Sequence, residues 1–247
     1  MKRRYIRIII LLFCFFFSSL LNATVRIGTP MFAPPFSVNI EHYMVEGFDV
    51  ELMKTICLDL NWQCEFIPLQ NDKIFPALDQ NQVDFLIGGL IITPERKLLY
   101  LFSQPYLPSK AGFVVLSQSP VKTINDLQNK RVATLQGRVY GPYLAQNFPI
   151  PIQILTYAIY GDLLLAVKNN QVDAAFVNYY TALYIEHQYP GLVRVLHQPF
   201  DLGYGIGIAT SFNNADKIAQ INQLLTKYES NGTYVRLYNY YFQFFAK

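Results

Sequence analysis

Apolar and polar positions alternate in blocks that predict strands and helices in turn. A first unit is predicted from strands at 24–28, 64–69 and 83–88 and from helices at 48–60 and 74–81, with a loop at 30–36. This order is typical of a β-α-β-α-β unit on a mostly parallel sheet.

A comparable unit recurs further along the chain. Its predicted strands are 130–133, 152–157 and 172–177, and its predicted helices are 138–146 and 162–168, with Asp162 as N-cap of the last. Serine, threonine, aspartate and asparagine favour that position because their side chains accept the first free helix N–H groups.

The two units share a local signature. Residues 77–84 are ALDQNQVD and residues 166–173 are AVKNNQVD, an offset of 89 with five matches in eight. In each segment a helix ends, turns through Asn-Gln and enters an apolar strand. We interpret the repeat as two similar α/β lobes.

The connections suggest how the chain divides between the lobes. Residues 105–112 and 199–207 are predicted crossovers, and the chain from Asn213 onward is predicted to be helical and to cap the first lobe. We therefore expect lobe 1 at 24–109 and 201–247, and lobe 2 at 110–200.

Topology predicts a site between these lobes. Open α/β sheets bind ligands beyond the carboxyl ends of their strands. Two lobes that face each other would place Gly88–Gly89 and Val177–Asn178 across one cleft.

The first 23 residues have the pattern of a secretory signal. A basic start with Lys2 and three arginines is followed by an apolar run of 14 residues and by Ala23. The alternative is an uncleaved anchor, but 14 residues are short for a span of roughly 20. We expect a cleaved signal peptide at 1–23.

Charge and composition then exclude several classes. The chain carries 20 Lys+Arg and 17 Asp+Glu, and four of those bases lie in the first 23 residues, which leaves 16 bases against 17 acids. The basic excess therefore gives no support for a nucleic-acid partner. A chain with 52% hydrophobic and 15% charged residues is not disordered.

Two cysteines, Cys57 and Cys64, remain beyond the signal. In an exported protein a lone pair so close in sequence favours a disulfide, and the alternative is two reduced, buried thiols. The three histidines, His42, His187 and His197, show no ligand spacing, so we expect no metal site.

Short motifs follow one another in order across residues 24–247. They are IGT at 27–29, PPF at 34–36, GFDVEL at 47–52, PAL at 76–78, VDFLIGGLIITPER at 83–96, FSQPY at 102–106, LQG at 135–137, VDAAF at 172–176 and NGTYVRLYNYYF at 231–242. As an ordered set they resemble the family 3 periplasmic solute-binding proteins, which serve polar amino-acid ABC transporters.

This resemblance implies the two-lobe α/β periplasmic-binding-protein fold of type II, with a mostly parallel sheet in each lobe and two hinge crossovers. It also implies a periplasmic location, an amino-acid ligand or related small carboxylate, an inner-membrane ABC permease as partner and no cofactor. We expect a monomer.

The resemblance also implies ligand-binding residues. Arg96 would clamp the ligand carboxylate, because a guanidinium offers a planar pair of donors. Backbone groups of Gly89 and of the loop at Gly137, Arg138 and Val139 would supply further donors, since glycine permits close approach of backbone to ligand.

Several positions depart from the family's amino-acid pocket. Ile91 stands where a Ser or Thr is usual, and Asn178 stands where an acid usually binds the ligand ammonium. Pro30 and Asn71 also replace the usual acid and aromatic residue, respectively. Phe32 is the expected aromatic wall.

Arg138 adds positive charge beside the expected cleft. One interpretation is an anion-friendly pocket with Arg96 and Arg138; the other is that Arg138 points outward and that Asp72 or Asp201 balances the ligand. Losing a charged hydrogen bond to an ammonium would cost roughly 1.5–3 kcal/mol.

The sequence therefore predicts a binding protein that closes on its ligand, with two alternatives. One is an enzyme of the cyclohexadienyl dehydratase type on the same scaffold, which would need a cleft acid with a raised pKa. The other is a free-standing ligand sensor.

Overall fold

The computed structural model describes residues 24–41 and 44–245. The predicted signal peptide at 1–23 lies outside these residues, as does His42. Within the described ranges, no helix has both the length and the apolar character needed to cross a bilayer.

The described chain forms strands and helices in alternation. The strands are β1 Val25–Pro30, β2 Phe32–Ala33, β3 Ser37–Glu41, β4 Met44–Glu46, β5 Cys64–Leu69, β6 Phe85–Leu86, β7 Leu101–Phe102, β8 Lys110–Leu116, β9 Arg131–Leu135, β10 Gln153–Tyr157, β11 Ala174–Asn178, β12 Val193–Val195, β13 Phe200–Asp201 and β14 Ala209–Thr210. The helices are α1 Phe48–Asp59, α2 Ile74–Asp79, α3 Pro94–Leu99, α4 Tyr140–Asn147, α5 Tyr160–Lys168, α6 Tyr179–Gln188, α7 Ala215–Ser230 and α8 Thr233–Phe242.

Two sheets organise these elements into two lobes. The sheet of lobe 1 has the order β5-β1-β6-β14-β7, and that of lobe 2 has the order β10-β9-β11-β8-β12, with β13 also paired to β8. In each sheet the first three strands of that order run parallel, as βαβ connections require. The predicted two-lobe α/β fold is confirmed.

Two local details differ from the predicted elements. Asp162 was predicted as an N-cap, but α5 begins earlier, at Tyr160, with Ile159 in the capping position and Asp162 inside the first turn. That N-cap prediction is wrong. Residues 30–36, predicted as a loop, include β2, which joins β3 and β4 in a small antiparallel sheet.

Aromatic residues fix the C-terminal helices against lobe 1. The ring centroids of Phe48 and Phe242 are 5.1 Å apart, and Tyr234 approaches Phe48 at 5.9 Å. Phe48 and Phe242 are fully buried. Helix α8 therefore packs against the start of α1 in the core of lobe 1.

Cys57 and Cys64 form a disulfide, as predicted. It joins the last turns of α1 to the first residue of β5. A loop this short should contribute about 2–3 kcal/mol in the chain-entropy description.

Two crossovers lie side by side between the lobes. The Tyr106 N–H donates to Ile206 O at 3.0 Å, and the Ile206 N–H donates to Leu107 O at 2.8 Å. The Ser109 hydroxyl donates to the carbonyl of Leu202. Strand β13 pairs Asp201 with Lys110 in the sheet of lobe 2, so the expected boundary at residue 201 falls within a strand.

Candidate ligand-binding cleft

The lobe 1 side of the cleft begins with a glycine turn after β6. Gly88 and Gly89 have φ values of 110° and 67°. A Cβ on Gly88 would lie 2.2 Å from Pro30 Cδ, and one on Gly89 would lie 2.8 Å from the Phe36 ring. Only glycine combines this backbone with this packing.

The side chain of Asp49 anchors the glycine turn through hydrogen bonds. Its Oδ2 accepts from the N–H groups of Gly88 and Gly89 at 2.8 Å each. Burial raises the pKa of Asp49 to about 6, against the lowering effect of these hydrogen bonds. The Gly89 N–H, expected to serve the ligand, donates to this carboxylate.

Arg96 reaches the cleft from the first turns of α3. The Thr93 hydroxyl caps the helix by accepting from the Arg96 N–H at 3.3 Å. The guanidinium donates from Nη1 to Ile91 O at 2.8 Å and lies over the Phe75 ring at 4.5 Å. The Ile91 side chain is buried, so this residue meets Arg96 through its carbonyl.

Arg138 enters the cleft from lobe 2 and contacts lobe 1. Its Nε donates to Asn71 Oδ1 at 3.0 Å, and its Nη1 donates to Gly88 O at 3.2 Å. Only 9% of the residue is exposed, so Arg138 points inward rather than outward.

Neither acid considered as a balancing charge pairs with these arginines. Asp72 forms an ion pair with Lys73 at 3.3 Å, and Asp201 forms one with Lys110 at 3.7 Å. The side chain of Asp201 is 85% exposed.

Gly137 brings the two lobes into backbone contact. Its φ is 72°, and a Cβ at this position would lie 2.5 Å from Asn71 O. Val139 follows as the residue before α4. The glycine thus permits the closed arrangement in which Arg138 spans the cleft.

Asn178 ends β11 and begins α6. Its Oδ1 accepts from the N–H groups of Tyr180 at 2.9 Å and Thr181 at 3.4 Å, which is an N-cap arrangement. Its Nδ2 is buried with no hydrogen-bond partner among the described residues. Tyr140 lies beside this amide, and its hydrogen bonding to Asn178 opposes the rise that burial causes in the pKa of Tyr140.

Aromatic rings close the remaining side of the cleft. Phe32, the expected wall, is 39% exposed and faces the Tyr160 ring across the lobes at 5.5 Å between centroids. The buried Tyr140, Tyr160 and Phe36 were not predicted as site residues. Tyr140 and Tyr160 open the helices after β9 and β10, and that position after a strand was the available signal.

Among the spaces that the described residues enclose between the lobes, two that involve the predicted site residues differ greatly in size. The space lined by Gly89, Tyr140, Tyr160 and Asn178 measures about 10 Å³, room for about one water. A second cavity of about 430 Å³ is lined by Thr93, Glu95, Arg96, Gly137, Arg138, Val139, Gln146 and Leu202, among others.

Positive charge dominates the larger cavity. Burial, followed by the nearby Arg138 charge, lowers the pKa of Arg96 to about 10. Burial also lowers the pKa of Arg138. Within the described ranges, no Asp or Glu forms an ion pair with either guanidinium, and no cluster of His, Cys, Asp or Glu could hold a metal ion.

Two α/β lobes, paired crossovers and an arginine-lined cleft define a class of hinged ligand-binding proteins. The model of the family "Bacterial extracellular solute-binding proteins, family 3" matches residues 25–244. The chain belongs to this family, as its motifs predicted.

Relatives agree with this assignment. The "Arginine-binding periplasmic protein" of Mannheimia haemolytica is 32% identical over 209 residues, covering 83% of this chain and 86% of the relative. The "Putative ABC transporter arginine-binding protein 2" of Escherichia coli K12 is 30% identical over 225 residues, covering 89% and 91%.

A solved structure shows the same architecture. The arginine 3rd transport system periplasmic binding protein of Legionella pneumophila superposes with a TM-score of 0.83 at 34% identity, covering 89% of this chain and 99% of that one. These relatives are named as binding proteins, which favours the binding-protein prediction over the dehydratase alternative.

Proposed function

We propose that this protein captures an amino acid or a related small carboxylate between its lobes and delivers it to an inner-membrane ABC permease. The observation that carries the proposal is the Arg96 guanidinium, held by Ile91 O and Phe75 at the inter-lobe cavity. Two planar donors at that place match a carboxylate.

Hinge closure is the proposed mechanism. A ligand that contacts both lobes stabilises the closed arrangement, because its interactions with lobe 2 exist only there. The closed form then presents surfaces of both lobes together to the permease. Gly137 and the paired crossovers support this mechanism, since they allow the lobes to meet and keep them connected.

Location and ligand class follow from relatives. Proteins named as periplasmic and as arginine-binding support a periplasmic site of action and an amino-acid-like ligand. The basic and apolar pattern at 1–23 supports export by a cleaved signal peptide.

The buried acid of the cleft region does not favour the enzyme alternative. Asp49 has a raised pKa of about 6, but it is 1% exposed and bonds to the glycine turn. A general acid must reach the substrate, and the turn separates Asp49 from the cavity.

A thermal-shift screen tests the proposal. The purified protein is mixed with amino acids, keto acids and dicarboxylates, and at least one small carboxylate should raise the unfolding midpoint. Amines and sugars without a carboxylate should leave it unchanged. Stabilisation by those compounds alone, or by none, would overturn the proposal.

A further inference from the structure

Arg138 carries a buried positive charge where the two lobes meet. Only 9% of the residue is exposed, and its hydrogen bonds to lobe 1 go to two neutral acceptors, Asn71 Oδ1 and Gly88 O. A guanidinium has five N–H donors, so donors remain for a further partner. Because burying a charge is costly unless an opposite charge balances it, this guanidinium favours an anion.

Two acids of the protein lie near the cleft, and neither forms an ion pair with Arg138. Asp49 favours the charge on Arg138, but its Oδ2 accepts from the two N–H groups of the glycine turn. Glu95 is exposed in the first turn of α3, where it lines the larger cavity and favours the charge on Arg96. Among the residues that the structure describes, no Asp or Glu pairs with Arg138. A ligand carboxylate would supply that partner.

Arg138 lines both of the spaces described above. It shares the larger cavity with Arg96 and the small space with Gly89. The Gly89 carbonyl receives no hydrogen bond from the described residues, so it is an acceptor for the α-ammonium group of an amino acid. Because the small space of about 10 Å³ has room for little more than a group of that size, the other ligand atoms need the larger cavity.

The charges around the ligand then select its side chain. Arginine or lysine would bring a further positive group beside Arg96 and Arg138, and the acids Asp72 and Asp201 form ion pairs with neighbouring lysines. A neutral side chain would leave Arg138 without an anion. A side-chain carboxylate avoids both costs, because it can accept two parallel hydrogen bonds from a guanidinium.

We propose that the ligand is an acidic amino acid, glutamate or aspartate, whose side-chain carboxylate binds Arg138 while its α-carboxylate binds Arg96. This inference rests on the proposed function and narrows the ligand class within it. Arg96 belongs to lobe 1 and Arg138 to lobe 2, so the two carboxylates join the lobes and stabilise the closed arrangement. Arg138 is the residue that determines specificity for the ligand side chain.

Calorimetric titration of the wild type at pH 7 tests the inference. Glutamate or aspartate should bind at least tenfold more tightly than its own amide, glutamine or asparagine, because the amide has nearly the same shape but no charge. The same acid should also bind at least tenfold more tightly than arginine or histidine. Glutarate and succinate keep both carboxylates but lack the ammonium group, so they should bind more weakly than the corresponding amino acid.

A variant without the charge identifies the ligand group that Arg138 binds. Arg138→Gln should weaken binding of the acidic amino acid at least tenfold and should leave its amide within about threefold, because only the acid loses a charged partner. Arg236→Gln removes an exposed positive charge on α8 and should leave both affinities unchanged. Thermal unfolding shows whether each variant is folded. The comparison of acid with amide in the wild type tests the inference even if Arg138→Gln does not fold.

The outcomes distinguish this inference from the proposed function. If arginine, histidine or an amide binds as tightly as the better of the two acids, the inference is wrong and the proposed function stands. If folded Arg138→Gln keeps the wild-type affinity for that acid, or if the dicarboxylate without an ammonium group binds more tightly, the inference is also wrong. If no amino acid and no other small carboxylate binds, both are wrong.

Discussion

The two lobes share one construction at the base of their sheets. In lobe 1, Asp84 accepts from the Arg26 N–H at 2.8 Å and from its guanidinium at 3.3 and 3.2 Å. In lobe 2, Asp173 accepts from the Arg131 N–H at 2.8 Å and from its guanidinium at 3.0 and 3.2 Å. An aspartate at the equivalent position therefore closes the αβ turn in each lobe.

At the opposite ends of the strands the lobes differ. Lobe 1 ends β6 in a glycine turn that Asp49 holds, whereas lobe 2 ends β11 in Asn178, which caps α6. Lobe 1 therefore offers backbone and Arg96, and lobe 2 offers Arg138. The Asp–Arg contact that both lobes share preserves the fold. The residues that differ at the opposite ends of the strands determine the chemistry of the cleft.

The largest expected effect comes from a substitution in the glycine turn at the cleft edge of lobe 1. Gly88→Ala forces a side chain into a left-handed backbone and into the Pro30 ring, so we expect a loss of about 2–5 kcal/mol in unfolding free energy. Gly161→Ala in α5 of lobe 2 is the control, because nothing lies within 4 Å of its added methyl group. Urea unfolding of both variants measures the difference; equal stabilities would contradict the comparison.

A matched pair of substitutions tests whether the aspartates at the base of the two sheets are equivalent. Asp84→Ala and Asp173→Ala each remove a backbone and a guanidinium contact from a partly exposed carboxylate, with side chains 27% and 25% exposed. We expect each to cost about 1–2 kcal/mol, since solvent weakens the ion pair. The denaturant midpoints of the two variants should shift nearly equally. A large difference between these shifts would show that the two Asp–Arg contacts are not equivalent.

A pH effect is expected in lobe 1 alone. Asp49 has a pKa of about 6 when folded, raised from 3.8. Between these values the folded protein keeps a proton that the unfolded chain releases, so stability falls as pH rises from about 4 to about 6. Relative to Asp49→Asn, the wild type should lose unfolding free energy across that range and then level off. If the unfolding free energy of the wild type rose with pH relative to Asp49→Asn, this account would be wrong.

Sequence pattern predicted the features that depend on neighbours along the chain. Periodicity gave the order of strands and helices, and the repeat at 77–84 and 166–173 predicted the two lobes. The disulfide followed from spacing and export together. Arg96 stood out because its motif is local.

Features that depend on distant contacts were beyond the sequence. The direction of Arg138 is set by Asn71, which lies 67 positions away, and Asp49 meets Gly89 across 40 positions. The use of the Asn178 oxygen as a cap decides which end of its amide faces the cleft. Residue type alone does not determine such choices, because each depends on how the lobes fold and meet.

Titration of the most stabilising carboxylate into the wild type, Arg96→Ala and Lys97→Ala tests the central claim most directly. Both substitutions remove one positive charge from α3, but only Arg96 reaches the inter-lobe cavity. Losing a buried charged partner costs about 2–5 kcal/mol, so Arg96→Ala should weaken binding at least 30-fold, roughly what 2 kcal/mol implies. Lys97→Ala should stay within about twofold of the wild type. Equal affinities in the two variants would contradict a carboxylate held by Arg96 between the lobes.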